Sequence, residues 1–88
     1  MDKYKLLELF KAGTQKFEII EYLVMNGSIE VWRLIAPRPT GLGVAQYNAR
    51  IKEIRECLFI TGWEIENDPG KSFTLKQVVD KNGVVNMF

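Results

Sequence analysis

Eighty-eight residues, 47% of them apolar and 26% charged, make one small folded domain and not a disordered chain. One cysteine and no histidine exclude an internal disulfide framework, a Cys/His zinc site, and the Ser-His-Asp and Cys-His nucleophile arrangements. The formal charge of +1 is close to neutral, no apolar run approaches the roughly 18 residues of a membrane span, and the first residues lead into no apolar signal region, so a cytoplasmic protein without membrane contact is expected.

Residues 2–11 read as a short helix with Asp2 as cap and Tyr4, Leu6, Leu7 and Phe10 on its apolar side; Ala12-Gly13 ends it. This segment, 1–13, either covers the core or mediates a dimer contact. Thr14 then caps a second helix, with Phe17, Ile20, Tyr22, Leu23 and Val24 as its apolar face and Asn26-Gly27 as its stop. Ser28-Ile29 is too short for more than a bridge-like strand. Residues 30–36 form a short helix closed by Pro37, in which Trp32 anchors or partly covers the core. An irregular turn, Arg38-Pro-Thr-Gly41, follows, with Thr40 as a candidate cap for the next helix.

That next helix is the strongest signal in the chain. Over 43–58, Val44, Tyr47, Ile51, Ile54 and Leu58 recur at three- and four-residue spacing and define one apolar stripe. Ala45, Ala49, Lys52, Glu53 and Glu56 fall opposite, with Gln46, Asn48, Arg50 and Arg55 on the flanks. Cys57 reads as a small packing residue. Residues 63–67 and 72–76 alternate apolar and polar around Asp68-Pro-Gly-Lys71, where proline presets φ and glycine supplies a positive φ, so a β-hairpin is expected over 63–76. Lys81-Asn-Gly83 predicts another turn and residues 84–88 a last strand.

A helix, a short strand, a short helix, a turn, a longer amphipathic helix and a hairpin are the order of a winged helix-turn-helix, an α+β fold with a three-helix core, here over 14–88 with the extra N-terminal helix before it. The residues also resemble a family. Asn26-Gly-Ser-Ile29, then Leu42-Gly-Val44, then Ala49-Arg-Ile-Lys-Glu-Ile-Arg55, then Gly62-Trp-Glu-Ile65 are similar to the small winged helix-turn-helix domains common in bacteriophage and prophage proteins. The similarity runs from Gln15 to Phe88, and Ala49 to Arg55 is its distinctive string. The chain departs from the pattern by carrying Pro37-Arg-Pro-Thr-Gly41 before Leu42 and Cys57-Leu-Phe-Ile-Thr61 before Gly62. The resemblance implies a DNA-binding domain with a regulatory or DNA-transaction role.

The charge distribution agrees with that implication. Between Val31 and Arg55 stand Arg33, Arg38, Arg50, Lys52 and Arg55 against Glu53 alone, whereas the flanking segments hold Glu18, Glu21 and Glu30 before and Glu56, Glu64, Glu66 and Asp68 after. On this reading helix 43–58 enters the major groove. Gln46 and Asn48 read base edges, with adenine as their natural bidentate partner, and Ala45 and Ala49 permit close approach. Lys52 and Arg50 meet phosphate or guanine, although Arg50 is equally placed to pair with Glu53 or another carboxylate. Arg33 and Arg38, with Thr40 beside them, touch the backbone near the turn. Lys71 and Ser72 at the tip of the 63–76 wing meet phosphate or the minor groove. The expected partner is double-stranded DNA, met as a homodimer or as a subunit of a larger complex, with no cofactor, metal, membrane or small-molecule substrate expected. The alternative is a winged-helix protein-interaction module without DNA binding. An enzyme is not expected: there is no phosphate-binding glycine loop, and Glu64 with Glu66 is ordinary solvent-facing strand patterning.

Overall fold

The computed structural model describes residues 2–78. The turn expected at Lys81-Asn-Gly83 and the strand expected over 84–88 lie outside the described residues. Within them the chain is α+β, with a 3₁₀ helix (Lys3–Leu9), α1 (Gln15–Asn26), β1 (Ser28–Glu30), α2 (Val31–Ile35), α3 (Tyr47–Leu58), β2 (Trp63–Asp68) and β3 (Ser72–Gln77). No helix among the described residues is long and apolar enough to cross a membrane.

The N-terminal helix is 3₁₀ and not α, and Asp2 caps it by accepting from the Tyr4 backbone N–H at 2.9 Å. Leu6 and Phe10 enter the core and Leu7 packs on it, but Tyr4 stays exposed near the Lys3 ammonium. α1 starts as the sequence suggests: the Thr14 hydroxyl accepts from the Phe17 N–H at 3.2 Å. Ile19, Ile20, Leu23 and Val24 are buried, and Gly27, at φ 86°, turns the chain while its N–H closes on the Leu23 carbonyl.

That turn delivers the chain directly into the sheet. The Leu75 N–H bonds the Gly27 carbonyl, and Ser28, Ile29 and Glu30 then pair with Thr74, Phe73 and Ser72. The segment expected to be a mere bridge is therefore a three-residue strand. It is ordered because β3 presents a ready ladder, a non-local partner that no local pattern in 28–30 can reveal. The antiparallel sheet has the order β1-β3-β2. The hairpin expected over 63–76 is present as β2 and β3, with the Lys71 N–H on the Asp68 carbonyl and Gly70 at φ 75°. Ile65 lies opposite Leu75 and Ile29 opposite Phe73, and this face closes on the helices.

The largest departure concerns the start of the long helix. It begins at Tyr47, not at 43, and its cap residue is Gln46 and not Thr40. Leu42, Gly43 and Val44 are instead committed to the preceding helix. Their N–H groups bond the carbonyls of Arg33, Ala36 and Leu34 at 2.8, 2.9 and 2.7 Å. A five-residue helix leaves most of its C-terminal carbonyls without partners, and this segment supplies donors to them. Gly43 at φ 65° permits the required path. Val44 is still fully buried, so the apolar spacing placed it correctly on the core side although it is not helical.

Beyond α3, Thr61 is the one buried polar residue among the described residues. Its hydroxyl donates to the Leu58 carbonyl at 2.7 Å and accepts from the Trp63 N–H at 3.2 Å, joining the helix end to the first residue of β2. The core holds residues from every element: Leu6 and Phe10, the α1 face, Ile29, Leu34, Val44, the Ile51–Ile54–Leu58 stripe of α3, and Ile65, Phe73 and Leu75 of the sheet. The Tyr47 ring meets Phe73 edge-on at 6.1 Å and fixes the start of α3 against β3.

Candidate nucleic-acid interface

α3 docks by Ile51, Ile54 and Leu58, and the side turned away from them is exposed. Gln46, Asn48, Ala49 and Lys52 all lie on that exposed surface. Among the described residues none of these four side chains is engaged by another group. The first turn of α3 carries no acidic residue and Gln46 makes no capping bond through its side chain, so the electropositive end of the helix is left open.

The cations behave differently from the expectation. Four of the five between Val31 and Arg55 are held by protein acceptors or rings. Arg38 is ion-paired with Glu18 of α1, and the bond and charge of that carboxylate hold its guanidinium above its ordinary value. Arg50 is ion-paired with Glu53 one turn on. Arg55 donates to the Ile65 carbonyl at 3.1 Å. The Arg33 guanidinium lies 4.6 Å from the Trp32 ring centroid and 5.4 Å from that of Tyr22, and it donates to the Thr40 carbonyl at 3.4 Å. The positive block seen along the sequence is thus partly answered in space by Glu18, which is remote in sequence, and by Glu53. Lys52 is the cation of α3 that remains free among the described residues.

The other predicted site residues are scattered around this face. Thr40 is exposed in the turn and contributes its carbonyl, not its hydroxyl, to Arg33. Lys71 is exposed at the hairpin tip, where its carbonyl accepts from the Val31 N–H, and Ser72 beside it is half-buried. On the solvent face of the hairpin, Lys76 bonds Glu66 at 2.7 Å and stands 4.0 Å from Glu64. The Lys76 pKa is raised, first by the bond to Glu66, then by the Glu66 charge and least by that of Glu64.

Two residues are placed contrary to their expected packing roles. Trp32 is 46% exposed and does not anchor the core. Its indole N–H instead donates to Glu30 Oε2 at 2.7 Å. Cys57 is exposed, because the buried stripe of α3 is narrow and runs through Ile54 and Leu58 beside it. The sequence held a signal for Trp32: a helix of five residues makes only about one and a half turns, so Val31, Trp32, Leu34 and Ile35 cannot all face inward. Leu34 alone of the four is fully buried.

Among the described residues, no three carboxylate or thiol groups converge as a metal site would require. Comparison with models of known protein families, with curated proteins and with solved structures found no match.

Proposed function

We propose that the chain is a winged helix that binds double-stranded DNA, with a regulatory or DNA-transaction role of the phage type. The exposed start of α3 enters the major groove and the β2–β3 hairpin serves as the wing. The observation that carries this reading is the surface formed by Gln46, Asn48, Ala49 and Lys52, which is exposed, uncommitted and backed by a buried apolar stripe. Support comes also from the order of elements and from the β1-β3-β2 sheet, in which the hairpin projects beside a short helix, a turn and a longer helix. Gln46 and Asn48 have the donor and acceptor pair that suits adenine, and the small side chain of Ala49, next after them, lets the backbone approach. Lys52 and Lys71 supply phosphate contacts.

Two free cations set the scale. Affinity for a random duplex is expected to fall with salt with a log–log slope of about −2, and non-specific binding at physiological salt to lie on the order of 1–100 μM. Fluorescence anisotropy over a salt series checks this, with Lys52→Ala expected to weaken binding and to reduce the slope by about 1. Absence of binding at low salt would sink the DNA reading. It would favour a winged-helix protein-interaction module, to which the pairing of Arg38 with Glu18 and of Arg50 with Glu53 already lends support.

A further inference from the structure

A cleft of about 620 Å³ opens between α2 and the tip of the β2–β3 hairpin. Val31, Trp32 and Ile35 make its apolar lining, and Glu30, Asp68 and Lys71 are its charged residues. Two carboxylates against one ammonium leave the cleft with a formal charge of −1. Trp32 and Ile35 are 46% and 52% exposed, so a short helix shows two large apolar side chains to solvent at one place.

Trp32 is also held in position. Its N–H is bonded to Glu30 and its ring is stacked by the Arg33 guanidinium, which in turn reaches the Tyr22 ring and the Thr40 carbonyl. An aromatic fixed in this way loses little conformational entropy when it is covered, which is the property of a preorganised contact residue. Tryptophan is also among the residues most enriched where truncation costs an interface most. The volume falls within the roughly 300–1,000 Å³ typical of ligand sites and is far larger than an ion needs. The carboxylates repel a phosphate backbone, so the cleft is poorly suited to nucleic acid.

We propose that this cleft docks a short peptide segment of a protein partner in which a bulky apolar side chain stands next to an arginine or lysine. The apolar group covers Trp32 and Ile35, and the cation meets Asp68 and Glu30. The charge of the cleft selects a basic peptide over an acidic one. The cleft is separate from the exposed side of α3 and shares only the hairpin tip, with Lys71, with the proposed wing, so the proposal does not depend on the DNA reading.

The test is a titration of the intact ¹⁵N-labelled chain with acetylated pentapeptides that carry leucine, phenylalanine or tryptophan at the centre and either arginine or glutamate beside it. The Trp32 indole N–H resonance, assigned with Trp32→Phe, is the readout. Arginine peptides are expected to shift it, with binding at least fivefold tighter than for their glutamate counterparts. Ile35→Ala, at the other exposed apolar side chain of the cleft, should weaken the response at Trp32 at least fivefold. Asp68→Lys, on the exposed turn, should invert the preference toward the glutamate peptides, a result that loss of folding cannot mimic. No shift with any arginine peptide up to about 5 mM, beyond the weak end of useful affinity, would overturn the proposal. So would equal binding of the two series. A stronger response of Trp32 to oligothymidylate than to the peptides would overturn it in favour of base stacking on the indole.

Discussion

Gly41 lies where the chain leaves no room for a side chain. A Cβ built there would lie 2.3 Å from the Arg33 carbonyl oxygen, 2.6 Å from that of Ala36 and 2.7 Å from the Ala36 Cβ. Two of these are backbone atoms whose positions are tied to the closure of α2 by Leu42 and Gly43, so the site cannot relax by moving one side chain. Gly41→Ala is expected to cost about 3 kcal/mol, at the upper end of small-to-large substitutions. Urea unfolding would show this as a lower midpoint at unchanged slope, and a loss below about 1 kcal/mol would contradict the crowding argument. Lys76 illustrates a different residue effect. Glu66, and more weakly Glu64, raise its folded pKa above the ordinary 10.5. The stability it contributes is therefore fully present below that ordinary value and is lost as pH rises through the higher folded one. Wild type should lose stability more steeply than Lys76→Met above about pH 10.5, with the two curves parallel from pH 6 to 9. The pair is exposed, so the effect is small.

At the scale of elements, the N-terminal 3₁₀ helix depends on the core more than on its own hydrogen bonds. Seven residues in 3₁₀ geometry are not stable alone, and Leu6, fully buried, is what holds them against α1. Leu6→Ala should cost about 2–5 kcal/mol and raise hydrogen exchange across Lys3–Leu9. If the stability change were under about 1 kcal/mol, the segment would be an appendage and not a part of the core. The start of α3 is set by its neighbour in the same sense. Leu42, Gly43 and Val44 are good enough in local pattern to prolong α3, but the unpartnered carbonyls of α2 take their N–H groups first. The consequence for the proposed function is geometric. Gln46 sits at the tip of the helix and not inside its first turns, and Asn48 and Lys52 become the residues displayed along the exposed side.

Over the whole molecule, the arrangement of charge separates two modes of action. Ion pairs hold Arg38 on α1 and Arg50 within α3, so Lys52 is the cation of the 31–55 block left without a partner among the described residues. If DNA is the partner, removing the carboxylate charge should release a cation to it. Glu18→Gln is then expected to tighten duplex binding at low salt and to steepen the salt slope by about 0.9, read by the same anisotropy series. An unchanged slope would mean that Arg38 does not face the duplex. The cleft of Trp32 and the exposed side of α3 offer distinct chemistry, one apolar and acidic, the other amide and cationic. A domain carrying both could hold DNA by one and a partner protein by the other, which the two titrations test separately.

What could be read from the chain alone was set by local physics. Thr14 and Gly27 bound α1 through capping and a positive φ. Asp68 to Lys71 close the hairpin through proline and glycine. The three- and four-residue spacing of Ile51, Ile54 and Leu58 names the buried stripe of α3. Composition excluded histidine chemistry and a disulfide within the chain. Other features required the assembled molecule, because each depends on a partner distant in sequence. Ser28 to Glu30 are a strand because β3 lies alongside them. Glu18 cancels Arg38 across twenty positions, so a linear count of charge overstated the positive surface. Trp32 faces outward because Leu34 takes the inward direction of a helix too short to bury both, and that outward indole, with the hairpin tip beside it, makes the cleft that no linear pattern describes.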